Sequence, residues 1–301
     1  MAVPSGWPAG RDSLAIMGQH YIPKYYLHGF CDPSKPSSIW VYEKGSERVF
    51  STTVRRVANE RNRWPQSVEE FLANQVEEPA KPVINKIRNH EPITQSDKEI
   101  LSAYMVVMLQ RVPRGLERTE AIAPEVRDQF FDGLDREILR LIEEHPSKRN
   151  VLQNWRQELP GLKLKYERDP PKAVWLQNLT PDALPRSRTI LPTMTWVFFT
   201  SDKRQPFLTN DNPVFFSESM GIGNPESEVT FPVSSNVALW ATWHKNVLEG
   251  YVAARDNVAR EINRRTASAA TKYVYYSAEA KWVVKLVSHK NPRLNRLTPP
   301  V

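Results

Sequence analysis

Thr195-Trp196-Val197-Phe198-Phe199-Thr200 is built only from β-branched and aromatic residues, the composition of a β-strand. It follows the point, near residue 186, where the apolar pattern changes from a helical to a strand-like period. Val214-Phe215-Phe216, Glu228 to Val233 and Val237 to Trp243 continue the same character downstream, and Tyr273 to Tyr276 and Trp282 to Val287 read as closing strands. Asp256-Asn257 is placed to cap a helix running through Val258, Ile262, Ala269, Ala270 and Tyr273. Upstream, Ile39 to Tyr42 and Arg48 to Phe50 flank Lys44-Gly45-Ser46 and predict a β-hairpin, preceded by a short helix from Lys24 to Phe30 after Pro23.

Between these β regions the pattern is helical. Ser67 and Glu70 have capping-box spacing ahead of Phe71, Leu72 and Val76. Thr94 or Ser96 can cap a second helix through Ile100, Leu101, Tyr104, Val107, Met108 and Arg111, which Pro113 ends. A third is expected from about Pro124 to Glu144, with Val126, Phe130, Phe131, Leu134, Ile138, Leu139 and Ile142 on its core face, and a fourth over 147–160. The expected architecture is α+β: mixed or antiparallel β pieces from both chain ends around a central inserted helical bundle at about 66–160. Residues 14–290 then form one domain, between a flexible leader at 1–13 and a flexible tail at 291–301.

The 301 residues are 40% hydrophobic and 25% charged, which excludes a largely disordered or collagen-like chain. The most apolar run, Tyr104 to Leu109, is far short of the roughly 20 residues that cross a bilayer. No membrane association is expected, and a cytoplasmic location is. Cys31 is the single cysteine, so an intramolecular disulfide and a multi-cysteine zinc site are both excluded. The net charge of +7 is uneven: residues 1–65 carry +4, 66–150 carry −4 and 186–301 carry +6. Basic ends beside an acidic middle suit a chain that meets a polyanion with its ends.

Walker, zinc-protease and nucleophile-elbow motifs do not occur, so candidates rest on local constellations. His20 in His20-Tyr21-Ile22-Pro23 is a candidate general acid or base, because imidazole titrates near neutrality. Asp211 in Thr209-Asn210-Asp211-Asn212-Pro213-Val214 reads as turn chemistry, or as a carboxylate that orients a histidine or holds a divalent metal such as Mg²⁺. Arg111 offers a planar fork to phosphate. Ser234, beyond a strand, and Asn263, on a small-residue helix face, can position a substrate. Arg55 and Arg56, with Arg61 and Arg63 beside Trp64, form one basic cluster, and Arg260, Arg264, Arg265 and Lys272 form another. Basic residues near aromatics suit single-stranded nucleic acid.

Gln19 to Phe30 followed by Ile39 to Lys44 resembles the opening of a widespread, mostly bacterial family, domain of unknown function family 4238. The resemblance continues at Leu109 to Pro113, Phe207 to Val214, Phe231 to Ser234, Ile262-Asn263 and Tyr273 to Tyr275, and covers about 19–277. His28 stands where the family pattern usually has arginine, and Asn210 where it usually has serine. The resemblance implies no established activity, substrate or cofactor. It does place His20, Arg111, Asp211, Ser234 and Asn263 inside recurring blocks, as one polar site assembled from distant segments would require, or equally a structural hydrogen-bond network. Two functions are expected from these readings. One is a phosphodiester-cleaving, nuclease-like enzyme of a defence or toxin-type system. The other is a non-catalytic nucleic-acid- or protein-binding module that uses the basic ends.

Overall fold

The computed structural model describes residues 18–167, 175–179, 185–201, 205–289 and 293–297; the leader expected at 1–13 lies outside them. The chain divides into two compact units, residues up to 114 with 178 onward forming the first and 115–177 the second.

The first unit begins with β1 (Gly18–His20), α1 (Lys24–Leu27), β2 (Ser38–Glu43), β3 (Arg48–Thr53) and β4 (Asn59–Arg61). Helices α2 (Gln66–Phe71) and α3 (Glu78–Arg88) join through a π-helical turn, Leu72–Glu77, and α4 (Gln95–Arg111) follows. After the second unit come α7 (Pro185–Ile190), β5 (Thr195–Thr200), β6 (Thr209–Asn210), β7 (Phe215–Phe216), β8 (Glu228–Pro232), β9 (Val237–Thr242) and β10 (Gly250–Ala253). Helix α8 (Asp256–Ala269), β11 (Tyr273–Tyr276) and α9 (Lys281–Val287) close it.

The β elements from both chain ends share one sheet, as an α+β chain with a helical middle requires. Its order is β3-β2-β11-β6, antiparallel throughout, with Tyr273 opposite Glu43 and Val274 opposite Asn210. Gly45 takes φ 87° in the β2–β3 turn, a left-handed conformation that glycine adopts without a Cβ clash. A second sheet has the order β10-β5-β9-β8-β7, parallel only at β10–β5. Its inner strands β8 and β9 are buried at every residue, and β9, Val237-Ala238-Leu239-Trp240-Ala241-Thr242, accordingly reads as a near-continuous apolar run.

Helix α8 joins the two sheets' cores. Val258, Ala259 and Ile262 pack with Val197, Phe199 and Trp240 of the second sheet. One turn on, Ala267 and the residue after the helix, Ala270, pack with Tyr42, Val274 and Tyr276 of the first. Thr94 caps α4 in a full capping box with Asp97. Helix α2 differs from the expected box: Pro65 occupies its N-cap, so Ser67 lies inside the helix.

Trp282 to Val287 forms helix α9, not the expected strand. Val283 and Val287, four residues apart, enter the same apolar cluster while Lys281 and Lys285 stay exposed, which is helical spacing. The strands β4, β6 and β10 were not legible, being two to four residues long with no sustained alternation. Within the expected flexible tail, Leu297 is buried and Asn295 donates its backbone N–H to Glu261 Oε1 at 2.8 Å.

The second unit is a helical hairpin of α5 (Pro113–Glu144) and α6 (Arg149–Glu167), whose core is Phe131, Ile138, Ile142, Leu152 and Leu159. Helix α5 starts eleven residues before the expected Pro124, because Pro113 occupies its first position, where no N–H is needed. Val126, Phe130 and Leu139, expected in the core, are exposed. Among the described residues, no helix is long and apolar enough to cross a membrane.

Candidate functional site

His20 ends β1, opposite Asn59, and its ring is buried. Burial, then the nearby charge of Lys24, lowers its pKa against backbone hydrogen bonds with Val54 and Arg55, so the neutral imidazole is favoured. Its Nε2 atom is buried without a partner. Arg111 comes to it through the backbone: one guanidinium nitrogen donates to the His20 carbonyl at 2.6 Å and another to Glu77 Oε1 at 2.7 Å. Glu77 ends the π-helical turn, a widened turn often found where a helix must re-aim one side chain. The guanidinium also lies 5.4 Å from the Trp64 ring centroid, and Gln19 bonds the Trp64 backbone twice. Arg111 Nε and the hydroxyl of Tyr104 are two more buried polar atoms without partners here.

Asp211 follows β6 and is 1% exposed. Its carboxylate accepts from the backbone N–H groups of Thr271 at 2.7 Å, Lys272 at 2.7 Å and Tyr273 at 2.9 Å. Burial raises its pKa, and these donors oppose the rise. Burial and then the Asp211 charge push the Tyr21 phenol up, which puts the residue after His20 within electrostatic reach of Asp211. The neighbouring asparagines serve the same corner. Asn210 Nδ2 donates to the carbonyl of Thr266, Asn212 Nδ2 to that of Ala269 at 3.2 Å, and Lys44 Nζ to that of Ala270 at 2.7 Å. Together they satisfy carbonyls that the last turn of α8 would leave open, and N–H groups on the path into β11.

Asn263 accepts from Leu208 N–H at 2.9 Å and donates to the Pro206 carbonyl at 3.0 Å, fixing the approach to β6 on α8. Ser234 Oγ accepts from the N–H groups of Asn236 and Val237, both at 3.2 Å, inside the β8–β9 turn. Tyr26 Oη, which the sequence reading did not single out, joins three of the blocks by bonding the Pro232 carbonyl at 2.7 Å and Thr209 Oγ1 at 2.8 Å. Arg88 reaches the carbonyls of Tyr26 at 2.9 Å and Val233 at 3.2 Å, and a Cβ on Gly29 would stand 2.4 Å from its Nη2 and 3.0 Å from the Val233 oxygen.

Asp211 does not suit a divalent metal. Three N–H dipoles point their positive ends at a carboxylate with about four acceptor sites, where a cation would have to sit. Among the described residues no three His, Cys, Asp or Glu side chains gather to hold a metal. Cys31 is buried, and burial pushes its thiol up to about 11, out of reach of a neutral-pH nucleophile.

The basic clusters divide on the same physical grounds. Arg55 and Arg56 are exposed on a short turn after β3. Arg63 is buried over the Tyr21 and Trp64 rings and paired with Glu60. Arg265 is buried against Glu228 and the Asn295 carbonyl, and Lys272 pairs with Glu43. Arg260 and Arg264 instead face two neighbouring cavities beside α8. One, of about 420 Å³, is lined by Gln205, Arg260, Asn263, Trp282, Lys285 and Leu286. The other, of about 410 Å³, is lined by Arg264, Lys285, Leu286, His289, Arg293 and Asn295. Lys285 and Leu286 belong to both, so the two form one groove between α8 and α9. Reading 282–287 as a strand hid it, although Lys281, Lys285 and His289 recur at the four-residue step of a helix.

The fold is thus an α+β unit in which the early hairpin β2–β3 and the last strand, β11, share a sheet, with a helical hairpin carried in the chain between them. The chain belongs to the family described as a protein of unknown function, DUF4238, whose model matches residues 18–280. No curated protein and no solved structure matches it. The matched region contains the Asp211 corner and ends one residue before α9.

Proposed function

We propose that this protein binds single-stranded nucleic acid in the groove between α8 and α9. The observation that carries the reading is the composition of that groove: among the described residues its two linings hold five basic side chains, Arg260, Arg264, Lys285, His289 and Arg293, with Trp282 and no carboxylate. Arg264 is ion-paired to Glu261, which orients it beside the groove, and Arg260 and Lys285 are exposed. Arginine and lysine neutralise phosphates, an aromatic face can stack a base, and a groove rather than a flat face suits a flexible strand.

Fluorescence anisotropy tests it with labelled single-stranded DNA, single-stranded RNA and duplex DNA over a series of salt concentrations. Binding of single strands should be tighter than of duplex and weaken steeply with salt. Arg260→Ala with Lys285→Ala should cost about tenfold or more in affinity. Salt-insensitive binding, or equal binding by the variant, would remove the groove from the account.

A second reading, phosphodiester cleavage, is supported by His20, a buried neutral imidazole with an open Nε2 beside Arg111. In this reading His20 is the general base and Arg111 the neighbouring positive charge. Asp211, Ser234 and Asn263 bond backbone at 271–273, 236–237 and 206–208 respectively, a structural role in this reading. Loss of oligonucleotide cleavage in His20→Ala, with binding retained, would support it. Absence of cleavage by the unaltered protein with and without Mg²⁺ would end it.

A further inference from the structure

The helical hairpin α5–α6 leaves its own apolar residues outside. Of the twelve large hydrophobic residues exposed among the described residues, nine lie on it: Ile122, Val126, Phe130 and Leu139 on α5, and Val151, Trp155, Leu162, Leu164 and Tyr166 on α6. Ile122, Val126 and Phe130 are successive residues at a four-residue step, so they form one stripe along α5. Val151 and Trp155 do the same on α6, as do Leu162 and Tyr166. Phe130, Trp155 and Tyr166 are each 57% exposed, far more than a core position of a folded helix pair. Between the helices only five side chains form the buried cluster. Two helices cannot enclose a core as four can, and exposed apolar patches of this extent mark interaction surfaces.

Charge points to the occupant. Helix α5 carries five arginines against nine carboxylates, and α6 carries four basic residues against two glutamates. The two helices of one hairpin already use this difference, in Arg156–Asp135 at 2.6 Å and Lys163–Asp128 at 3.1 Å. A groove of about 560 Å³ along the hairpin is lined by both signs, Asp132 and Asp135 with Arg156 and Lys163, beside Phe131 and Leu159. A surface with an acidic helix next to a basic one is complementary to itself after a two-fold rotation, because each α5 then meets the α6 of the other copy. A membrane or a uniformly charged partner would match one helix and oppose the other.

We propose that the hairpin is the self-association surface of this protein, two copies pairing α5 to α6 to complete an antiparallel four-helix bundle. The test is sedimentation velocity of the full chain from low to high micromolar concentration. A species of twice the 34.7 kDa monomer mass is expected, growing with concentration. Phe130→Asp with Trp155→Asp should raise the dissociation constant by about tenfold or more, since buried aromatics dominate such interfaces. Helical content by circular dichroism should stay unchanged, because both side chains are exposed in the single copy. If that variant loses helicity, Ile122→Gln with Val126→Gln provides the same test at milder sites. A chain that stays monomeric throughout the range, or dimers that both variants leave intact, would overturn the proposal. A monomer that floats with phosphatidylcholine vesicles would overturn it in favour of a lipid surface.

Discussion

Helix α8 has two very different environments along its length. Its C-terminal turn meets Asn210, Asp211, Asn212 and Lys44, which bond backbone groups of the helix end and the strand after it. Its other flank carries Arg260 and Arg264 into a groove whose lining, among the described residues, has no carboxylate. The first region is polar, buried and largely satisfied. The second is charged and more open: Arg260 and Lys285 are exposed, and Arg264 is paired with Glu261 at its edge. Removing a residue of the first kind leaves a buried backbone donor or acceptor unpaired. Residues of the second kind can change without unfolding the chain. The groove's second wall, α9, lies beyond the family match, whereas the Asp211 corner lies inside it.

The sharpest way to break the comparison is at Asp211. Asp211→Ala should leave three backbone N–H groups facing an apolar hole and cost about 3 kcal/mol or more, at about 1–3 kcal/mol per orphaned buried group. Urea unfolding measures it. If the variant kept its stability but lost nucleic-acid binding, Asp211 would belong to a site and the contrast would fail. Tyr26→Phe should follow at about 1–2 kcal/mol, because Pro232 O and Thr209 Oγ1 lose a shared buried partner. A similar loss, about 1–3 kcal/mol, is expected for Gly29→Ala: the added methyl meets Arg88 and the Val233 carbonyl, and Arg88 is pinned by the carbonyls it bonds. Neither change should alter oligonucleotide affinity of the folded protein.

The smallest effect concerns pH. The folded pKa of His20 lies below the usual 6.5, so the unfolded chain binds the proton more readily. The contribution of the neutral ring is present above pH 6.5 and is lost as pH falls from there toward the lowered folded value. His20→Gln should therefore flatten the loss of stability just below pH 6.5, as followed by thermal melts in steps of pH. An unchanged slope would place the ring's protonation outside the folding equilibrium.

The contrast also explains what could be read from the sequence. The long elements were legible: α4 has a capping box at Thr94 and Asp97 and an apolar step down its length, and β2, β3, β5 and β9 are dense in β-formers. The family blocks were legible as a set, but a sequence does not say which partner an aspartate finds. Asp211 could hold a proton, a metal or a backbone, and only the positions of Thr271, Lys272 and Tyr273 decide between them. The groove was lost with α9, since Trp282-Val283-Val284 is as good a strand beginning as a helix. The hairpin's outward faces were hidden by the same ambiguity, because periodicity marks an apolar face without saying what covers it.

Hydrogen–deuterium exchange of the full chain, with and without a single-stranded oligonucleotide, tests the separation of the two regions most directly. Added strand should slow exchange in peptides covering 281–289, while those covering 209–213 exchange at the same rate in both states. Protection centred on 209–213 or on His20, with 281–289 unchanged, would contradict the account and return the function to the buried family blocks.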